Sequence, residues 1–375
     1  MSHEPLEYRF ALELHRRDPP EHLGDVPVAP DSDFFGPALE WASFRTVRSD
    51  RARPLVLDGP LSWVEPIWDA KRGEPYVGGL RAIVAAEGRP ALAVHLPLAY
   101  FHSMARSASA EFVESGKLTA GEVFEYRVCA FATKVPPYGN GRPEERFTVK
   151  PVPQELPVDE YPLQELLAKS EPCGTIDPEC MPVFVPGEVL GEVAELMQSA
   201  GPVEMGGILL GRLHRDPAGG DLFLEVTAQV RAEHCEQSAT RLTFTSDTWA
   251  AADAALTLRG QGSELYAGWY HTHPSAHWCE QCDAETRSKC QAAGKTPGDF
   301  FSLHDSALHR AVFPRAYSVA LVLSDGCRPG DAPKWGLYGW EFGMVQARGF
   351  HVLGGVPQPA AAPLEQQEMG HATNA

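Results

Sequence analysis

Two histidines stand two residues apart in GWYHTHP at 268–274, His271 and His273, at what reads as the end of a strand. Alternate side chains of a strand share a face, so both imidazoles can grip one ion. In SLHD at 302–305, Ser302 and Asp305 are three apart, which on a helix points a hydroxyl and a carboxylate the same way. Two imidazoles and a carboxylate leave the fourth tetrahedral position of Zn²⁺ open for water, as a reactive site requires and a structural one does not. Zinc draws the pKa of such a water toward about 7, and a nearby carboxylate must then take the proton. Glu204, directly before the apolar MGGILLG, fits that task, because an apolar strand rarely tolerates an acid without one. Taken singly, the motifs leave alternatives open. Alternate histidines near a strand end also occur without a metal, and Glu204 also fits an exposed strand start.

The elements that must hold these residues are legible as an alternation. GEVLGEVAELMQSA at 187–200 carries Val189, Val193, Leu196 and Met197 on one helical face. EMGGILLGRL, DLFLEVTAQV and RLTFTS follow as strands, then SDTWAAADAALTLRG as a helix capped by Ser246 or Asp247. SELYAGWYHTH is a strand, SLHDSALHRAVF at 302–313 a short helix, and YSVALVLSDG and WGLYGWEFG are closing strands. That order predicts an α/β class, a mixed β-sheet with flanking helices. Upstream, short apolar runs broken by Gly and Pro, a helix over 99–117 and a strand at 123–135 predict a smaller α+β domain over 41–150. The expected division is a flexible arm over 1–40, the α+β domain, a Pro-rich acidic linker over 151–182, the mixed α/β domain over 183–356 that holds the histidines and a flexible tail over 357–375. Eight prolines between 151 and 188 argue for the linker, because proline at that density extends a chain without offering a core.

With 375 residues the chain exceeds the roughly 250–300 at which single cores stop growing, so two globular units are expected. A formal net charge of −18 excludes a surface that gathers phosphate backbones or anionic lipid, so neither nucleic acid nor membrane is an expected partner. The opening MSHEPLEYRFALELHRRDPP mixes charges without an apolar run of signal-peptide length, and a cytoplasmic location is expected. Eight cysteines are too few for a disulfide scaffold.

A glutamate on the first strand, then H-x-H, then S-x-x-D, in that order, resembles the JAB/MPN (JAMM) metalloprotease family over residues 183–345. The resemblance implies an α/β sandwich. It implies that Glu204 is the general base and later acid, that His271, His273 and Asp305 bind a catalytic Zn²⁺, and that Ser302 steadies the tetrahedral oxyanion. It implies deubiquitinase-like action at the C-terminal glycines of a ubiquitin-like protein or its conjugates, alongside activating and conjugating enzymes of the same pathway. The alternatives are trimming of a sulfur-carrier C-terminus and a metal-free scaffold that binds a partner. The spacing departs from the family: 28 residues separate His273 from Ser302, where members usually have seven. Asp283 is therefore a rival to Asp305, though it opens no apolar helix and has no Ser three residues before it. The Cys-rich insertion at 275–300 carries Cys279, Cys282 and Cys290, a spacing common among zinc ligands. A second, structural zinc there would take His277 as its nearest fourth ligand, with His304, His309, Cys235 and Cys327 as others; reduced thiols and a Cys279–Cys282 redox pair are the competing readings. Trp269 is expected in the core or the groove, and His234, His309 and His351 at the surface or in caps.

Overall fold

The computed structural model describes residues 7–28, 32–49, 61–69, 76–84, 92–133, 156–232, 235–238, 241–260, 262–283, 300–325 and 333–355. The expected tail over 357–375 and most of the Cys-rich insertion lie outside them.

The first unit begins earlier than the sequence suggests. Strand β1 (Glu7–Arg16) buries Phe10, Leu12 and Leu14 on one face at the period of two expected of a half-buried strand. The flexible arm predicted over 1–40 is thus corrected from Glu7 onward. Pro19 and Pro20 lie in the turn between β1 and β2 (Glu21–Val28), and Pro27 lies on β2 at the sheet edge, where proline is tolerated. Helix α1 (Ser32–Ser49) follows, then β3 (Leu61–Asp69), β4 (Tyr76–Val84) and β5 (Leu92–Pro97). A 3-10 turn at Leu98–Phe101 leads into α2 (His102–Glu114), and β6 (Phe124–Thr133) returns to pair with β1. The strands form two three-stranded sheets, β2-β1-β6 and β3-β4-β5, around a shared core that includes Leu12, Leu80, Leu96 and Phe101.

The second unit starts at about 156, within the predicted linker. β7 (Val158–Glu160) pairs with a later strand, α3 (Leu163–Leu167) buries Leu166 against Phe184 and Phe223, and β8 (Ser170–Cys173) forms a sheet edge. The prolines punctuate these elements: Pro157 precedes β7, Pro162 is the N-cap of α3, and Pro172 lies on edge strand β8. β9 (Val183–Pro186) and α4 (Gly187–Ala200) come next, then β10 (Gly206–Arg215), β11 (Leu222–Arg231) and the hairpin β12 (Cys235–Ser238) and β13 (Arg241–Phe244). α5 (Ser246–Arg259) is capped by Thr245 rather than by Ser246 or Asp247, which lie in its first turn. The chain continues through β14 (Leu265–His273), α6 (Ser275–Gln281), α7 (Leu303–Val312), β15 (Val319–Ser324), β16 (Lys334–Glu341), β17 (Met344–Arg348) and β18 (Phe350–Leu353).

Among the described residues the large sheet has ten strands in the order β17-β16-β15-β14-β10-β11-β9-β18-β8, with β7 also on β10. It is mixed: β14 runs antiparallel to β10 and parallel to β15. Alternation assigns its two faces. Leu209, Leu321 and Leu323 pack with α4 residues Val189, Leu190 and Val193, while Ile208, Leu210 and Ala320 pack with Ala252 of α5, Trp269 and Phe313. Helices on both faces make the predicted α/β architecture.

Helix α1 belongs to both units. Ala38 and Ala42 sit in the first core, Phe44 in the second, and Trp41 packs against both. The Arg48 guanidinium pairs with both carboxylate oxygens of Asp221 and donates to the Glu179 carbonyl, 2.7 Å away. The Trp41 ring lies 4.6 Å from Phe342. No described helix is long and apolar enough to cross a membrane.

Candidate metal centre

β14 lies inside the sheet between β10 and β15, and its last turnings of side chain bring Trp269, His271 and His273 to one face. His271 and His273 are 1% and 2% exposed, and their Nε2 atoms approach to 2.9 Å. Trp269 stacks on His271 with ring centres 4.7 Å apart and planes 13° from parallel. Phe300 and Trp278 flank the His273 ring at 4.8 and 5.1 Å. The loop after His273 is held by groups that the motifs did not reveal. The Ser275 hydroxyl donates to the His273 carbonyl at 3.3 Å and meets Ser324 Oγ at 2.8 Å, and the Ala276 amide donates to Asp325 at 2.9 Å.

Asp305 arrives on the first turn of α7, the helix expected from SLHDSALH. Ser302 is its N-cap: Ser302 Oγ accepts from the Asp305 amide at 3.0 Å, and the Asp305 carboxylate accepts from the Ser302 amide at 2.8 Å. This capping box satisfies two otherwise unpaired amides and fixes the carboxylate at the helix start. Asp305 Oδ2 is 3.7 Å from His271 Nε2. One ligand atom from each of His271, His273 and Asp305 lies within 4.8 Å of the others. The structure brings Asp305 to the histidines despite the 28 residues that separate His273 from Ser302, whereas Asp283, the rival, is exposed and outside this group.

Glu204 stands two residues before β10, and its neighbour Met205 is bonded across to β14. The Thr272 amide donates to the Met205 carbonyl at 2.8 Å, and the Met205 amide donates to Thr272 Oγ1 at 3.0 Å. This ladder sets Glu204, 5% exposed, beside the ligand strand rather than at an exposed strand start. Burial first, and the Asp305 charge second, push the Glu204 carboxyl up to about 8. Burial, then the neighbouring His273, push His271 down to about 3 against the opposing pull of Asp305, which keeps its ring neutral near pH 7. Two imidazoles, one of them held neutral, and a carboxylate on converging vectors form a donor set suited to Zn²⁺.

Residues 179–296 match the model of the JAB1/Mov34/MPN/PAD-1 ubiquitin protease family. The chain carries a JAB/MPN domain. The matched stretch includes Glu204, His271 and His273 and ends before Ser302 and Asp305. The solution structure of a Desulfitobacterium hafniense protein, 18% identical, is similar over 45% of this chain and 92% of that one, with a TM-score of 0.31. No curated protein matches the chain.

In the JAB/MPN domain Cys279 is buried on α6 and Cys282 follows the helix, with the Cys282 amide donating to the Cys279 carbonyl at 3.3 Å. His277 Nδ1 lies 3.8 Å from Glu280. Cys290 is outside the described residues, as are His234 and Cys327. Trp269 is fully buried, one of its two expected places, and His351 is partly buried and stacked on Phe184 at 5.0 Å. His309, expected at the surface or in a cap, is instead 0% exposed, and its Nδ1 accepts from Trp269 Nε1 at 3.0 Å. Its position four residues after Asp305, on the same helical face, was the available signal; apolar periodicity does not show which polar residue a distant tryptophan will cover.

Proposed function

We propose that the JAB/MPN domain is a zinc-dependent peptidase that cleaves the peptide or isopeptide bond at the C-terminus of a ubiquitin-like modifier, in deconjugation or precursor processing. The observation that carries this is the convergence of His271, His273 and Asp305 within 4.8 Å, beside a buried Glu204 whose carboxyl is raised to about 8. Zn²⁺, held by those three residues, would lower the pKa of a water and polarise the scissile carbonyl. The chain's own groups then have separate tasks. Glu204 accepts the proton of the attacking water at its carboxylate and returns it to the departing amine, a role for which a carboxyl with a pKa near the working pH is suited. Ser302 Oγ, which accepts from the Asp305 amide, keeps its own proton to donate to the tetrahedral oxygen. His271 and His273 are seated by flanking aromatic rings, so little ordering remains to be done when ligands bind.

The extended modifier tail would run beside the cleft as an added strand. The N-terminal unit would select the modifier or its conjugated target, and the protein would act in the cytoplasm beside activating and conjugating enzymes. Cys279, Cys282 and Cys290 with His277 are proposed to take a second, structural zinc that folds the insertion next to His273. The test is cleavage of Gly-Gly-linked model conjugates by zinc-loaded protein with Glu204→Gln as the control. The variant is expected to retain zinc and lose at least about a hundredfold in rate, in line with removal of a general base. Equal cleavage by both proteins would sink the reading.

A further inference from the structure

The two elements that supply the metal ligands, β14 and α7, are distant in sequence, and the structure contains a built connection between them. Asp305 and His309 are four residues apart on α7 and so lie on one face. His309 Nδ1 accepts from Trp269 Nε1 at 3.0 Å, and the Trp269 ring stacks on His271 at 4.7 Å. Helix, hydrogen bond and stacked rings thus make three sides of a frame. The fourth side is the 3.7 Å approach of His271 Nε2 to Asp305 Oδ2.

We propose that His309 is a positioning residue that sets the separation of Asp305 from His271 by tying α7 to the indole of Trp269; the metal consequence rests on reading His271, His273 and Asp305 as zinc ligands. The three rings of the frame are closed to solvent, and the Asp305 side chain is 13% exposed. Trp269 and His309 are fully buried, and His309 is walled by Phe301, Phe313 and Trp340, with ring centres at 6.3, 6.0 and 5.3 Å. A buried indole N–H requires an acceptor, and among aromatic rings a neutral imidazole supplies one without introducing charge. An acceptor at Nδ1 places the ring proton on Nε2. Among the described residues Nε2 has no hydrogen-bond partner of ordinary geometry, and the Ser318 backbone only partly offsets the effect of burial on the ring. The directional contact of this side chain is therefore the one to Trp269. An apolar residue would fill the same space at lower desolvation cost, so the polar ring is explained by the bond it makes.

The test uses the full chain in five forms: wild type, His309→Asn, His309→Leu, Trp269→Phe and the double variant of the last two. Asn places a carbonyl oxygen where Nδ1 stands and keeps the acceptor, while Leu fills the volume without one. Zinc dissociation constants from chelator competition should rise about tenfold for His309→Leu and stay within about twofold for His309→Asn, the scale seen when outer supports of metal ligands are lost. Adding Trp269→Phe to His309→Leu should weaken zinc no further, because both changes cut one link. Equal loss for Asn and Leu, or additive loss in the double variant, overturns the proposal. A zinc-free crystal structure of His309→Leu reads the frame without any metal. The His271 to Asp305 separation should lengthen from 3.7 Å, and an unchanged distance refutes the link even if folding is intact. If the wild type binds no zinc, the ligand reading fails on its own, and the zinc-free structure still decides the role of His309.

Discussion

Burial of His309 gives the fold a measurable dependence on acid. Its folded pKa is pushed from 6.5 to about 3, with burial the largest cause and the Ser318 backbone opposing it. Between those values the unfolded chain binds a proton that the folded chain refuses, so stability falls as pH drops below 6.5, and the loss is complete near pH 3. For a group this buried no discount for solvent screening applies. The linkage relation then gives about 2 kcal/mol lost between pH 7 and pH 5 from this residue alone. The perturbation is His309→Leu, which cannot titrate there, and whose lost hydrogen bond is a constant offset that drops out of a slope. Urea denaturation of both zinc-free proteins at several values from pH 7 to 5 should show the wild type losing about 2 kcal/mol more than the variant. His271, whose distance to Asp305 the same substitution is proposed to change, is replaced by Asn in both proteins so that its own titration does not enter the comparison. Parallel pH profiles would mean that His309 is protonated or solvated in the fold, and the burial argument would be wrong.

Asp305→Asn separates two tasks of one side chain. The amide oxygen can still accept from the Ser302 amide, so folding stability should change by less than about 1 kcal/mol, while zinc affinity falls by more than about tenfold. In zinc-free protein the same change removes the second cause of the Glu204 shift. Its carboxyl should titrate below the present value of about 8 yet stay above the ordinary range, because burial remains; pH-resolved infrared spectra of the carboxyl would show it. Gly268→Ala should destabilise by about 3 kcal/mol or more. Gly268 has φ +153°, and a Cβ there would sit 1.8 Å from the Val319 carbonyl, which pairs β14 with β15. A loss under about 1 kcal/mol in a denaturant titration would show that the strands part easily.

The side chains of the candidate site were legible because their geometry is local. A strand puts His271 and His273 on one face, and the capping-box spacing of Ser302 and Asp305 opens a helix wherever it is placed. Their union was less legible, because it depends on β14 and α7 meeting across a long insertion, which no spacing rule encodes. Proline misled in two places. Pro19 and Pro20 in a turn, Pro157 and Pro162 at element boundaries and Pro172 on edge strand β8 raised the local density enough to suggest an arm and a linker where Leu12, Leu14 and Leu166 are core residues. What made those stretches fold was pairing with strands far along the chain, β1 with β6 and β8 with β18, and such partners are invisible to a local window. His309 was misjudged for a similar reason: its own helix has a modest apolar face, and its burial comes from Trp269, Phe313 and Trp340.

Helix α1 has a consequence for how the molecule comes apart. Phe44 is counted in one core and Ala38 and Ala42 in the other, with Trp41 between, so neither hydrophobic interior is complete without the same eighteen-residue segment. The backbone of Ala38 also presses on Gly343 closely enough that a Cβ there would meet its nitrogen at 2.4 Å. Two lobes joined by a mere tether would melt in two steps, each at its own temperature. Sharing an interior segment couples them, and calorimetry should meet a single transition. A cut placed after the first unit would not release a finished second unit but one with Tyr317 and Phe342 stripped of their aromatic neighbours on α1.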